Sequence, residues 1–401
     1  LVQKSLLARF LFNSMELGVE KMGRMHWSKL CVFLLLLFQL GCSTISRNPV
    51  DETDLKNPQV PGIEGARYWA DVAPVNISEL LEEVHRQRRT SRLYSDYTLT
   101  LSGGGEDGAF AAGILSAWSD AGTRPEFLVV TGVSTGALAA PFAFLGSDYD
   151  DKLKELYGGL PPSRIFRGRF ITGILSGSSV KNSDPLKQLI ETYITDNFLS
   201  QIAKEHRRGR RLLVQTVSLD AQRPVLWDMG AIANSNSPNA KKTFGDVLLA
   251  SAAIPGVFPP VLIDVDTKDG VRDELHVDGG VYSQTAYVPG WDIPRKYARG
   301  GKLYAIRNGK VEPELRVIEP GVLQVSARSL STLIKAQGVD DLTIAYKLSL
   351  QRGAEYQAAW IGTDFDYPLA EPFDPEYMRA LFDYGYQRFK SGTLWSDRPP
   401  R

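Results

Sequence analysis

From Tyr97 onward, short apolar runs alternate with stretches of helical length. Tyr97–Leu101 is rich in β-formers and is followed by the turn Gly103-Gly104-Gly105. Ala109–Ala121 has the composition of a helix. Phe127–Val133 is apolar almost throughout, the pattern of a strand covered on both faces of a parallel sheet. Thr135–Leu145 is again helical, and Arg211–Leu219 and Lys302–Arg307 read as further strands. Asp374-Pro375-Glu376 opens a last helix, with proline at its first position. Its stripe Met378, Leu381, Phe382, Gly385 and Phe389 falls on one face and predicts core packing. Strands alternating with helices predict an α/β fold whose sheet is mostly parallel and covered on both faces.

The first 94 residues read differently. Lys21, Arg24 and Lys29 precede the apolar run Leu30–Leu40, which has the layout of an export signal. That run is shorter than the ~20 residues a membrane-spanning helix needs. Residues 1–41 are therefore set apart from the fold. Leu40-Gly41-Cys42-Ser43 resembles the bacterial lipobox, which implies lipidation of Cys42 and an anchor in the cell envelope. Ser43 implies the outer membrane, facing the periplasm. Gln39 departs from the lipobox pattern, and ordinary cleavage leaving a soluble periplasmic protein is the alternative. Residues 42–94 read as a tether and surface segment, with a short helix over Ile77–Arg89, and 95–395 as the main domain. The basic runs Arg86–Arg92 and Lys204–Arg211 read as solvated faces.

Charge and cysteine content narrow the chemistry. In 401 residues, 46 Lys+Arg balance 46 Asp+Glu, so nothing global points to nucleic acid. Two cysteines, Cys31 and Cys42, exclude a disulfide scaffold and a cysteine-rich metal site. Four histidines argue against a histidine-based metal centre.

Three motifs carry chemistry. Gly132-Val133-Ser134-Thr135-Gly136 fits G-x-S-x-G between a strand and a helix, the setting of a nucleophile elbow. The plainer reading makes Ser134 a helix N-cap. Gly103, Gly104 and Gly105, with Gly108 beyond, expose backbone N–H groups that can hold an oxyanion. The same glycines fit a dinucleotide fingerprint, but Glu106 and Asp107 would repel a pyrophosphate, and no acid ends the next strand. Asp278, followed by Gly279 and Gly280, ends a short apolar strand, though taken alone this motif reads first as a plain turn.

Together these motifs, with Ala253–Pro260 between them, resemble the patatin-like phospholipase family over roughly residues 95–310. The resemblance implies a three-layer α/β/α patatin-like fold with a mostly parallel central sheet. It also implies a Ser134–Asp278 dyad, an oxyanion hole at Gly103–Gly105, and hydrolysis of a lipid or acyl-ester substrate without metal or cofactor. Two departures stand out: Asp107 where the family usually has a cation, and Val281–Ala286 where it often has Asn and Pro.

With no histidine in the dyad, Asp278 must take the Ser134 proton, and burial is expected to raise its pKa toward neutrality. One competing reading is a Ser–acid–His triad using His206 or His276. Another is a lipid-binding envelope lipoprotein that has lost turnover, and a third is a purely structural lipoprotein. Phe142, Phe144, Phe166, Phe170, Ile171, Ile174 and Leu175 read as core or acyl groove, and Gly168–Val180 as a candidate lid. Oligomeric state is not legible.

Overall fold

The computed structural model describes residues 46–56, 58–165, 184–286 and 300–400. Nine strands share one sheet: β1 (Arg67–Trp69), β2 (Tyr97–Leu101), β3 (Val129–Val133), β4 (Arg211–Ser218), β5 (Arg223–Asp228), β6 (Val261–Thr267), β7 (Gly270–Asp278), β8 (Lys302–Lys310) and β9 (Glu355–Ile361). The main path runs β1-β5-β4-β3-β2-β8-β9, with β7 beside β4 and β6 beside β7. The strands β4, β3, β2, β8 and β9 are parallel. β1, β5, β6 and β7 add antiparallel pairings that the strand–helix alternation does not announce.

The helices over Gly108–Asp120 and Thr135–Leu145 follow β2 and β3, as connections between parallel strands require. Leu99, Leu101, Phe110, Ile114, Leu115, Val130 and Val214 are fully buried between sheet and helices. The last helix, Pro375–Lys390, begins where expected, with the Asp374 carboxylate accepting the N–H of Glu376 at 2.9 Å. Met378, Leu381 and Gly385 are buried, while Phe382 and Phe389 pack partly exposed against the same core. Phe142 and Phe144 are core residues, the first against Phe198 and the second under Arg210.

Two expectations need correction. The segment after Arg47 is not a surface wrap: Val60, Ile63 and Ala66 are buried, and β1 extends the sheet. The compact unit therefore already includes Arg47. Nor is the Lys204–Arg211 run wholly solvated. Arg210 is buried, donates to the carbonyls of Phe127 and Phe144, and lies 4.2 Å from the Phe144 ring centroid. A planar guanidinium can satisfy several carbonyls while stacking, which a simple charge count does not reveal. A 31-residue helix, Val322–Arg352, also escaped the hydropathy pattern. Cys42, Phe166, Phe170, Ile171, Ile174, Leu175 and the Gly168–Val180 segment lie outside the described residues.

Candidate active site

The site is built where two strands meet end to end along β4. β3 runs parallel to β4 and ends with Val133 opposite Gln215. β7 comes from the other direction and ends with Asp278 opposite Thr216. Consecutive residues of one strand thus position the residue after β3, Ser134, and the last residue of β7.

Ser134 has φ 55° and ψ −125°, a conformation that costs a non-glycine residue of order 1–3 kcal/mol. Surrounding contacts hold it there. Its N–H donates to Ser251 Oγ at 3.0 Å, and that hydroxyl donates to the Gln215 carbonyl at 2.8 Å. Gly136 lets the elbow pack closely, since a Cβ there would lie 2.3 Å from the Leu101 carbonyl oxygen. Gly132 packs against the Gly136–Ala137 backbone, and Gly108 against Thr135 and Tyr157. Ser134 stands at the N-cap position of the helix behind it, but its side chain makes no capping bond, so the hydroxyl is not used as a cap.

Asp278 is buried and fixed by its neighbours. Its N–H donates to the Ala253 carbonyl at 3.0 Å, and its Oδ1 accepts the Gly280 N–H at 2.7 Å. Gly279 packs on the Gln215 carbonyl. Oδ2 is buried without a hydrogen-bond partner. Burial pushes the Asp278 carboxyl up to about 7, against the opposing pull of the Ser134 hydroxyl and the Gly280 N–H. The Ser251-Ala252-Ala253 stretch therefore contacts both residues, through the hydroxyl of Ser251 and the carbonyl of Ala253.

The glycine loop lies across the same end of the sheet. A Cβ on Gly103 would approach Ser134 Cβ to 3.2 Å. Its N–H, however, donates to the Gln284 carbonyl at 3.0 Å. Gly103 therefore leaves the set of expected oxyanion donors. The N–H groups of Gly104 and Gly105 meet no acceptor among the described residues. Gly104 must lack a side chain, because a Cβ would lie 2.1 Å from the Asn308 carbonyl oxygen.

Asp107 is engaged by the last helix. Its Oδ1 accepts a 2.6 Å hydrogen bond from Tyr377 of the last helix. Burial raises it to about 6 against the Tyr377 bond and the charge of Arg307, and burial raises Glu106 to about 7. The Val281–Ala286 stretch ties the two loops together. Gln284 accepts from Gly103, and its Nε2 donates to the Gly280 carbonyl at 2.9 Å. Asp341 Oδ2 accepts the N–H groups of Gln284 and Thr285.

Neither histidine of the triad reading serves Ser134. His276 is fully buried, with Nε2 3.0 Å from Glu274 and Nδ1 2.9 Å from Thr216 Oγ1. His206 faces Asp228 at 3.4 Å. Among the described residues, no group of three or more His, Cys, Asp or Glu could hold a metal ion.

The stretch that contains these parts is matched by known proteins. The patatin-like phospholipase family model covers residues 99–288, which contain the glycine loop, the elbow and Asp278. This chain carries a patatin-like phospholipase domain. Similar curated proteins include patatin-like phospholipase domain-containing proteins of Emericella nidulans, 28% identical over 52% of this chain and 30% of the relative. Another, from Aspergillus niger, is 32% identical over 43% of this chain and 22% of the relative. The chain thus spans less than a third of the length of these relatives. Among solved structures, VipD from Legionella pneumophila is similar at 13% identity and a TM-score of 0.37, over 74% of this chain and 67% of that one. The patatin-like domain here has the α/β architecture expected of it, with helices on both sides of the sheet.

Sequence reasoning named Ser134, Asp278 and the glycines, which the structure brings to one end of the sheet, but not Gln215, Gln284, Arg307, Asn308 and Asp341 around them. Their roles depend on contacts between distant segments, which no local motif encodes. Ser251 stands two residues before the Ala253–Pro260 block, and that position was the available signal.

Proposed function

We propose that this patatin-like domain is a serine acyl-ester hydrolase acting on lipid. Ser134 is the nucleophile, Asp278 the general base, and the Gly104 and Gly105 N–H groups the oxyanion donors. The observation that carries this reading is the end-to-end meeting of β3 and β7 on Gln215 and Thr216 of β4.

In the proposed reaction Ser134 Oγ attacks the ester carbonyl carbon while its proton passes to Asp278. The carbonyl electron pair moves to oxygen and is held by the loop. As the carbon–oxygen bond to the alcohol breaks, Asp278 returns the proton to the leaving alcohol. Water then attacks the acyl carbon, giving one proton to Asp278, and the acid departs as Ser134 recovers that proton. A carboxylate of ordinary pKa, ≈ 3.9, is a feeble base at neutral pH. Raised to about 7, Asp278 is better matched to the task.

The reading also includes a lipid anchor on Cys42, holding the domain at the periplasmic face of a bacterial outer membrane. Among the described residues no helix is long and apolar enough to cross a membrane.

The deciding experiment uses the full chain in detergent, on acyl esters from short to long. Turnover in the wild type that is lost in Ser134→Ala and in Asp278→Asn supports the dyad. A folded wild type that neither turns over nor reacts with a fluorophosphonate refutes it and leaves a lipid-binding role. Cell fractionation of Cys42→Ser tests the anchor: release from the membrane fraction is expected.

A further inference from the structure

Arg307 is a buried cation whose side chain is not paired in the usual way. It lies in β8, one residue beyond the Ile306 carbonyl that accepts the Ser102 N–H at the start of the glycine loop. Its guanidinium is buried, and among the described residues no carboxylate pairs with it directly. Asp107 and Asp341 act on it only through space. Its Nε has no hydrogen-bond partner. Room for the group comes from Gly338 of the Val322–Arg352 helix, where a Cβ would lie 2.5 Å from that Nε. Burying a charge without a counterion is costly, so such a group needs another interaction to offset the cost.

The atoms it does reach belong to the loop. Nη1 lies 3.0 Å from Gln284 Oε1, 3.3 Å from the Gly103 carbonyl oxygen and 3.4 Å from Ser102 Oγ. Nη2 lies 3.5 Å from the Ile334 carbonyl. The Gly103 carbonyl also accepts from Ser102 Oγ at 2.7 Å, and that hydroxyl accepts the Asn308 N–H at 2.8 Å. In a trans peptide the C=O and the following N–H point in opposite directions. Fixing the Gly103 carbonyl on the guanidinium therefore fixes the Gly104 N–H away from it. A cation at the carbonyl end also draws electron density through the peptide and makes that N–H a stronger donor. The loop itself carries only acids, Glu106 and Asp107.

We infer that Arg307 is a positioning residue for the oxyanion hole, holding and polarising the Gly103–Gly104 peptide from behind so that the Gly104 N–H meets the developing negative charge. The inference rests on the acyl-hydrolase reading above. It assigns to β8 a charge that acts on the transition state without touching the substrate.

The test compares Arg307→Lys and Arg307→Gln with the wild type, all as full chains in detergent, after thermal melts establish the folded fraction. kcat and KM are measured on one medium-chain ester, with the rate of fluorophosphonate labelling at Ser134 as a second readout. Arg307→Gln is expected to lower kcat and the labelling rate about ten- to a hundredfold, with KM changed less than about threefold. That loss is smaller than the 10²–10³ typical of deleting a direct oxyanion donor, because the action is indirect. Arg307→Lys, which keeps the charge, is expected to recover most of it. Unchanged kcat in folded Arg307→Gln overturns the inference, as does Lys performing no better than Gln. Should Arg307→Gln not fold, Arg307→Lys decides alone: kcat within tenfold of the wild type supports the assignment, and any greater loss in folded protein overturns it. A wild type without turnover or labelling brings down the hydrolase reading, and this inference with it.

Discussion

Ser251 Oγ accepts the Ser134 N–H at 3.0 Å, bracing the strained elbow from a helix end that lies far away in sequence. The same hydroxyl donates to the Gln215 carbonyl, so one oxygen links Ser134, the proposed nucleophile, to the strand that organises the site.

Replacing Ser251 with alanine is expected to leave a buried N–H unpaired at a residue already in an unfavourable conformation. Stability should fall by about 1–3 kcal/mol, the cost of an unsatisfied buried donor. Because the loss falls on the elbow, kcat should drop more than KM rises. Urea denaturation and ester kinetics on the same preparation check both parts.

Asp278 sets a pH dependence with two opposite faces. Its base form appears only above about 7, so kcat is expected to rise with pH through that value and level off. For stability the sign reverses. The native carboxyl holds its proton up to about 7, whereas the unfolded chain releases it near 4, so Asp278 weakens the fold progressively as pH rises across that window. Asp278→Asn should therefore melt at a higher temperature than the wild type at pH 8. At pH 3, below both values, the aspartate is largely protonated in both states and the two should nearly coincide. A variant that melts lower than the wild type at pH 8 would contradict this account.

Removing the Tyr377 hydroxyl tests how Asp107 is tolerated beside an oxyanion loop. Tyr377→Phe deletes the 2.6 Å hydrogen bond, which favours the ionised carboxylate. The Asp107 pKa should rise further, and stability at pH 7 should fall by about 1 kcal/mol. Carboxyl titration by NMR and chemical denaturation report the two effects separately.

A second buried cluster, away from the reacting groups, should matter for stability alone. Glu274 is fully buried and bidentate to Arg67, at 2.7 Å and 3.2 Å, with Ser218 Oγ donating to it at 2.9 Å. Burial alone would raise its pKa, but His276, Arg67 and Ser218 together hold it at about 2. Its contribution is present above the ordinary glutamate pKa and is lost as pH falls toward 2. Glu274→Gln strands the Arg67 charge and should cost roughly 3–5 kcal/mol at pH 7. In folded protein, kcat for ester hydrolysis should stay near the wild-type value.

What could be read from the sequence was local. The limits of β2 and the Thr135–Leu145 helix and the start of the last helix follow from β-formers, an apolar run and an Asp-Pro cap, all contained within a few residues. The catalytic candidates were legible because a sharp turn needs glycines whatever surrounds it. The antiparallel flank was not, because a strand's direction depends on what it pairs with rather than on its own composition. The same holds for Gly103: as a glycine in a loop it resembles its neighbours, and only the Gln284 carbonyl distinguishes it. Arg210 and Arg307 show the matching failure for charge, since a basic residue reads as solvated until buried carbonyls surround it. Asp107 read as a defect in the loop, and its hydrogen bond to a helix 270 residues later gives it another place to point.

The meeting of β3 and β7 on neighbouring residues of β4 has a consequence for how this domain can diverge. The spacing of Ser134 and Asp278, the proposed dyad, is set by a single backbone step, Gln215 to Thr216, and not by the long chain joining them. Lengthening the β6–β7 hairpin at its tip, or the connection before β4, leaves that step untouched. An insertion of one residue between Gln215 and Thr216 would part the two strands' ends and reverse the facing of one against the other. Surface segments outside β3, β4 and β7 can therefore change length without altering the step, while the proposed chemistry stays hostage to one peptide bond in the middle of the sheet.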